Sequence, residues 1–271
     1  MLRATDGEVP TAAQVGLKET WKTRGYFLSC QCRPERDLRV APVDSDAQVA
    51  ARIAAIEPLS ADVMRVRLAC DAPFEFRAGQ YISLLRDDGL ARSYSIASLP
   101  REGSLELHIR WYPNGRMSEW IRTAARPGDS VRVLGPSGEC FYVPGRADQP
   151  MLLAGTGTGL APLYGVLRDA LDHGHTGPIH LLHGALREEG LYLRDELTAL
   201  TRVHLNVSYT PSLLSEDGPL DQVVLKRFPK LTGWRAFLCG DPTLVQGLRK
   251  KLYLQGMDLK QIHADAFLPS A

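Results

Sequence analysis

Between residues 48 and about 143, apolar positions recur with a period of two. Met64, Val66 and Leu68 alternate with Arg65 and Arg67, while Leu105, Leu107, Ile109 and Trp111 alternate with Glu106, His108 and Arg110. Successive side chains of a strand point to opposite faces, so this half is β with one face turned inward. The intervening turns, Arg86-Asp87-Asp88-Gly89, Arg101-Glu102-Gly103, Pro127-Gly128-Asp129 and Gly135-Pro136-Ser137-Gly138, are short enough for antiparallel neighbours. Many short strands joined in this way predict a closed antiparallel β-barrel.

The rhythm changes after Pro144-Gly145-Arg146-Ala147-Asp148-Gln149-Pro150, which reads as a linker. Apolar runs at Met151 to Ala154, Ile179 to Leu182, Val203 to Val207, Ala236 to Leu238 and Gln261 to Ala264 read as strands. Helical patterns lie between them, among them Leu160 to His173, Leu191 to Leu200 and Thr243 to Leu254. Strand and helix in alternation predict an α/β domain on a parallel sheet, with any ligand beyond the carboxyl ends of its strands. The domain expectation is therefore 1–46 as an N-terminal segment, 47–145 as the barrel and 146–271 as the α/β domain.

Charge and cysteine usage narrow the function. The 271 residues carry 32 basic and 31 acidic side chains for a net charge of +1, which offers no long-range field to a polyanion, and nucleic acid is not expected as a partner. No segment approaches the roughly 20 apolar residues of a membrane span, and the start MLRATDGEVP is too charged for a secretory signal, so no membrane insertion and a cytoplasmic location are expected. Five scattered cysteines, at 30, 32, 70, 140 and 239, fit a reducing compartment better than a disulfide framework.

The candidate chemistry begins at "LLAGTGTGLAP", residues 152 to 162. Gly155, Gly157 and Gly159 bare the backbone, and Pro162 suits the first turn of a following helix, so free amides and the helix dipole favour a phosphate. A bare packing turn explains the same glycines, because the spacing is GxGxG with Ala161 where the common dinucleotide fingerprint expects its last glycine. Two further stretches have bland readings when taken singly. "ARSYSIAS", residues 91 to 98, reads as a barrel strand, and "LHIRWYPNGRMSEW", residues 107 to 120, as a strand, a turn and a short capped helix. Their chemical reading is a pyrophosphate held between Arg92 and the amides around Gly115 to Ser118, with Tyr94 offering a flat face to an aromatic ring.

Taken together, Arg92-Ser93-Tyr94-Ser95, Gly115-Arg116-Met117-Ser118, Gly155-Thr156-Gly157-Thr158-Gly159-Leu160-Ala161-Pro162 and Cys239-Gly240-Asp241-Pro242 resemble the ferredoxin–NADP reductase family of flavoenzymes. The resemblance covers about residues 48 to 271. It implies a ferredoxin reductase-like fold, with FAD bound by the barrel and a nicotinamide nucleotide by the α/β domain. It also implies that Arg92 holds the flavin pyrophosphate, Tyr94 stacks on the isoalloxazine and Ser95 hydrogen-bonds near its N5. Ser93, Ile109, Arg110, Gly115, Arg116, Met117 and Ser118 complete that set. Gly155, Thr156, Gly157, Thr158 and Pro162 would receive the nucleotide pyrophosphate, joined by Gly240, Asp241 and Pro242. Cys239 would place its sulfur beside the nicotinamide, which makes Ser95 and Cys239 the candidate catalytic pair. Asp241 also reads as a plain N-cap, and Cys239 as a small apolar filler. Phe267, in "HADAF" near the end, either shields the flavin or packs in a core.

Arg187 is the candidate for a 2′-phosphate contact, but Glu188 and Glu189 follow it and "SYTPSLLSED" supplies no arginine, which favours NADH over NADPH. Residues 25 to 38, "GYFLSCQCRPERDL", resemble the last part of a plant-type [2Fe–2S] ferredoxin domain, with Cys30 as a fourth ligand. Such a cluster needs three more cysteines upstream and residues 1 to 29 contain none, so no cluster and no metal is expected in the chain as given, with Cys30 a packed thiol. The segment reads either as the truncated end of a longer protein or as an appended remnant. The implied function is an NAD(P)H-dependent FAD reductase whose electrons leave to a redox protein (an oxygenase component, a ferredoxin or a haem protein) or to a small acceptor. The alternatives are a flavin reductase that releases reduced flavin and a non-catalytic flavin-binding regulatory module.

Overall fold

The computed structural model describes residues 2–15, 17, 19–41 and 47–267, and the chain divides into two compact units, Met1–Ala47 and Gln48–Ala271. The expected boundary at residue 46 and the four residues after Phe267 lie outside the described residues. In the first unit, β1 (Leu2–Asp6) is paired antiparallel on one side with β2 (Tyr26–Phe27) and on the other with β3 (Arg39–Ala41), and a short helix α1 (Glu19–Lys22) precedes β2. Among the described residues its buried apolar side chains are Ala13, Tyr26 and Phe27. Cys30 is exposed on a 3-10 turn and is not the packed thiol the sequence suggested, because that turn buries none of its residues.

The second unit begins with six antiparallel strands: β4 (Ala47–Pro58), β5 (Val63–Cys70), β6 (Tyr81–Leu85), β7 (Ala91–Ser95), β8 (Leu105–Arg110) and β9 (Ser130–Ser137). Their order is β7-β6-β9-β4-β5-β8, and a bridge between Ile96 and Leu107 joins the two outer strands into the predicted barrel. Leu105, Leu107 and Ile109 of β8 meet Val66, Leu68, Ile82 and Val133 inside it. Gly135-Pro136 lies within β9 and does not form the expected turn; the irregularity there appears as a register shift against β6 between Tyr81 and Ser83. Helix α2 (Arg116–Thr123) closes the barrel's end with Met117 and Ile121.

A parallel sheet follows, built of β10 (Met151–Thr156), β11 (Ile179–Ala185), β12 (Val207–Leu213), β13 (Arg235–Gly240) and β14 (Ile262–Ala266), in the order β12-β11-β10-β13-β14. The chain runs outward from β10 to β12 and then crosses back to β13, so β10 and β13 are neighbours whose connections leave in opposite directions. In open α/β sheets such a reversal is where a crevice for ligands is expected, at the carboxyl ends of the strands. Helices α3 (Leu160–Asp172), α4 (Arg194–Val203), α5 (Leu214–Asp217), α6 (Leu220–Arg227) and α7 (Pro242–Leu254) connect the strands. The third strand differs from its expected place. Val203 ends α4, and Val203 and Leu205 are exposed, so the alternation there marks no buried face. The strand instead runs on through Pro211, which an edge position tolerates because no neighbour needs its missing N–H. The helix expected from Leu191 begins at Arg194, after Leu193 turns through the left-handed region at φ 57°.

Candidate active site at the strand reversal

Gly155 of β10 and Cys239 of β13 are register partners at this reversal. A Cβ on Gly155 would lie 2.8 Å from the Cys239 carbonyl oxygen. One on Gly159 would collide with that same oxygen and lie 2.6 Å from the Cys239 carbonyl carbon and 2.9 Å from Gly240 Cα. Two of the three glycines therefore clear room for the chain's own Cys239-Gly240 turn, not directly for a ligand. Gly157 is the one that needs glycine for its conformation, at φ 54°, and it faces the Arg110 guanidinium. Thr156 Oγ1 accepts from the Asp241 amide at 3.2 Å, Asp241 caps α7 by accepting from Leu244 N, and the Phe267 amide donates to Gly240 O at 2.8 Å. Pro162 is the third residue of α3, within the first turn as expected.

Ser95, Cys239 and Asp265 meet at this place. Ser95 Oγ donates to Asp265 Oδ2 at 3.1 Å, and Asp265 is the register partner of Cys239 in β14. Burial raises the Asp265 carboxyl above the ordinary range, partly offset by the Ser95 hydrogen bond. Burial likewise pushes the Cys239 thiol well up. The sequence reading passed over Asp265; its signal was an acidic residue inside a terminal strand that starts with buried Ile262 and His263.

Arg92 and Tyr94 project from one face of β7, two residues apart, and both are half-buried. Arg116, at the start of α2, pairs with Asp88 of the β6–β7 turn at 3.6 Å, which draws the Gly115 turn toward the strand that carries Arg92. Ile109 and Met117 are buried in the barrel core, so they can offer a cofactor only backbone groups. Ser118 is similarly committed: its hydroxyl donates to Gly115 O and accepts from Tyr112 N, leaving its amide for a phosphate. Arg110 is held by Asp62 at 2.9 Å. Ser93 lies within 3.3 Å of the Ser83 hydroxyl, on the face opposite Arg92. Arg187 stands exposed beyond the end of β11, apart from the Ser95–Cys239–Asp265 cluster.

The helix ends test whether these residues suit phosphate-bearing cofactors. The first amides of a helix have no intrahelical acceptor. At α7 the Asp241 side chain fills that role, whereas α2 and α3 begin at Gly115 and Gly159 with no side-chain cap, as α4, α5 and α6 also do at their own starts. Helix starts without a side-chain cap at Gly115 and Gly159 leave room for an anion at each, whereas Asp241, which the resemblance also placed at the nucleotide, is already occupied in capping α7.

A family model described as the oxidoreductase FAD-binding domain matches residues 50–142, and one described as the oxidoreductase NAD-binding domain matches residues 152–250. The reductase component of the naphthalene 1,2-dioxygenase system of Pseudomonas putida, a ferredoxin–NAD(P)+ reductase, is 34% identical over 98% of this chain and 85% of its own length. The chain belongs to the ferredoxin reductase family of flavoenzymes. It is an NAD(P)H-dependent FAD oxidoreductase with the ferredoxin reductase-like fold. Other members bear on its use. A probable flavin reductase of Vibrio harveyi is 33% identical over 78% of this chain and 96% of its own. The crystal structure of the Amycolatopsis cytochrome P450 reductase GcoB superposes with a TM-score of 0.78, at 29% identity, over 99% of this chain and 86% of that one. Among the described residues, no helix of this ferredoxin reductase is long and apolar enough to cross a membrane.

A second polar cluster lies beneath the glycine turn. Glu106 and His108 of β8 point away from the barrel core yet are buried, because the α/β half covers them. His108 donates from Nε2 to Glu106 at 2.9 Å and accepts at Nδ1 from the Tyr192 hydroxyl at 3.1 Å. The Tyr192 ring meets His183 edge-on, and His183 donates from Nε2 to Gly157 O at 3.0 Å. Burial holds His183 neutral with its pKa down at about 4. The glycine turn is thus tethered from below by residues that no motif contains.

Proposed function

We propose that this reductase takes electrons from NADH and passes them through FAD to the oxygenase or ferredoxin component of an oxygenase system. The observation that carries this reading is the convergence of Ser95 from the barrel with Cys239 and Asp265 from the parallel sheet, one contact joining the two expected cofactor sites. Arg92 and the first amides of α2 would hold the FAD pyrophosphate, Tyr94 would lie against the flavin ring, and the glycine turn would receive the nucleotide. FAD, when bound, supplies the conversion between a two-electron donor and a one-electron acceptor. The protein's own part is to bind, to exclude water and to keep a proton available at the Ser95–Asp265 hydrogen bond, beside the Cys239 sulfur.

The choice of NADH is supported by the acidic surroundings of the only arginine expected to reach a 2′-phosphate. Arg187 is followed by exposed Glu188 and Glu189, and the register of Ala185 with Leu213 brings α5, with exposed Glu216 and Asp217, to the next strand end. A 2′-phosphate there would face carboxylates. The protein partner is read from the oxygenase systems to which the relatives' names assign them.

Anaerobic titration tests the reading. The purified chain should carry a yellow flavin that bleaches with NADH at lower concentrations than with NADPH, and Arg92→Ala should lose FAD on gel filtration while keeping its fold. A colourless protein that reduces added flavin would favour the flavin reductase alternative, and retained flavin indifferent to both donors would favour a regulatory module. Asp265→Asn should lower NADH-dependent turnover by about 100-fold with FAD retained. It should also flatten the limb of the pH–rate profile that Asp265 sets; an unchanged profile would remove Asp265 from the mechanism.

A further inference from the structure

Cys140 and Cys239 stand far apart in sequence and meet in space. Cys140 follows β9, on the way out of the barrel, and Cys239 is in β13 of the parallel sheet. Their sulfurs are 3.3 Å apart and both residues are buried. A disulfide requires about 2.0 Å, so the sulfurs need to approach by only about 1.3 Å. Neither backbone is slack. A Cβ on Gly79 would collide with the Cys140 carbonyl oxygen, and a Cβ on Gly155 or Gly159 would crowd the Cys239 carbonyl.

We propose that Cys140 and Cys239 are a modification site: hydrogen peroxide joins them in a reversible intramolecular disulfide that ties the barrel to the parallel sheet and disables the nicotinamide-nucleotide site. The steps balance. The Cys239 thiol attacks one peroxide oxygen and the O–O bond breaks, leaving Cys239 sulfenic acid and one water. The Cys140 thiol then attacks that sulfur, the S–O bond breaks, and a second water carries away the Cys140 proton with the hydroxyl. Each sulfur is oxidised by one electron and the peroxide is reduced by two. An Asp265 backbone hydrogen bond reaches the Cys239 sulfur, but burial, the Cys140 hydrogen bond and the Cys140 and Asp265 charges raise its thiol by more, so the two thiols are interchangeable in this scheme. Burial raises the same thiol, which makes the oxidation slow and protects the pair from bulky thiol reagents.

The consequence follows from packing. Pulling Cys239 toward Cys140 drags a carbonyl packed so near Gly155 and Gly159 that neither position has room for a Cβ, so the shift is expected to carry the glycine turn with it. Displacement by about 1 Å is enough to cost about 100-fold in turnover. The disabling half of the proposal rests on the reductase reading; the cross-link itself does not.

The test uses the full chain with Cys30→Ser and Cys32→Ser, which leaves three thiols, at Cys70, Cys140 and Cys239. After hydrogen peroxide, the mass should fall by two hydrogens, and unreduced digestion should yield a linked Cys140–Cys239 peptide. Denatured thiol titration should count one. NADH-dependent turnover should drop and return with dithiothreitol. Cys140→Ala should start with normal turnover but be inactivated irreversibly, because its sulfenic acid has no resolving thiol and oxidises further. Three thiols surviving peroxide, or a Cys140→Ala protein with the same reversible loss, would overturn the site. A linked peptide with full turnover would overturn the disabling role. A chain that forms the cross-link but never oxidises NADH or NADPH would refute the reductase reading and leave the disulfide standing.

Discussion

Gly159→Ala is expected to raise the KM for NADH by about 100-fold while FAD still copurifies. The added methyl has nowhere to go: its neighbours are the Cys239 carbonyl and Gly240 Cα, backbone atoms held in a parallel sheet, so either β13 or the glycine turn must shift. Overpacking against side chains costs about 1 to 3 kcal/mol because side chains can rotate away, and backbone cannot. The matched control is Gly247→Ala in α7, where a Cβ meets nothing within 4 Å. That change should leave kinetics alone and raise stability by up to about 1 kcal/mol, since alanine is the better helix former. Stopped-flow reduction and thermal melts of the two variants decide the matter. Equal, small effects would mean that the turn has more freedom than its contacts allow.

Glu106→Ala is expected to destabilise the protein by about 3 kcal/mol, the usual loss when one partner is removed from a buried ion pair. Glu106 accepts from His108 and pairs with Arg65 at 3.2 Å and Arg67 at 3.3 Å, with its own side chain only 9% exposed. Burial alone would raise this carboxyl; the His108 hydrogen bond and the Arg65 and Arg67 charges outweigh it and bring the pKa to about 2. A depressed carboxylate pKa contributes stability that is complete above the unfolded value of about 4.5 and is lost as pH falls from there through about 2. His183 acts earlier in an acid titration. The unfolded histidine takes a proton near pH 6.5 and the folded one only near 4, so stability declines as pH drops across that window. Denaturant melts from pH 7 to pH 3 should show two successive losses, with the lower one missing in Glu106→Ala and the upper one reduced in His183→Leu. The His183 change also removes the donor to Gly157 O, so its KM for NADH should rise with little change in flavin retention.

The architecture was largely legible as rhythm. Alternation with period two between residues 48 and 143 announced a barrel, and the strand–helix sequence after residue 150 announced a parallel sheet, because both periods are imposed by local backbone geometry. The third strand of that sheet was misplaced for the same reason in reverse: Val203 and Leu205 alternate correctly, but nothing covers them. The local placement of the glycine turn and of the Arg92, Gly115 and Cys239 motifs, on strand ends and a helix start, was readable too, since tight turns restrict which residues can stand there. Asp265, Cys140 and the Glu106–His108–Tyr192–His183 tether were not. Glu106 and His108 occupy the polar positions of an ordinary half-exposed strand, and only the α/β half folding over β8 makes them interior. By itself, the sequence determined the two sheets, their order in the chain and the turns proposed to face a cofactor. Which glycines serve the protein's own backbone, which acid joins Ser95 and which two sulfurs touch were decided by tertiary packing, because each depends on residues that are close in space and between 26 and 170 positions apart along the chain.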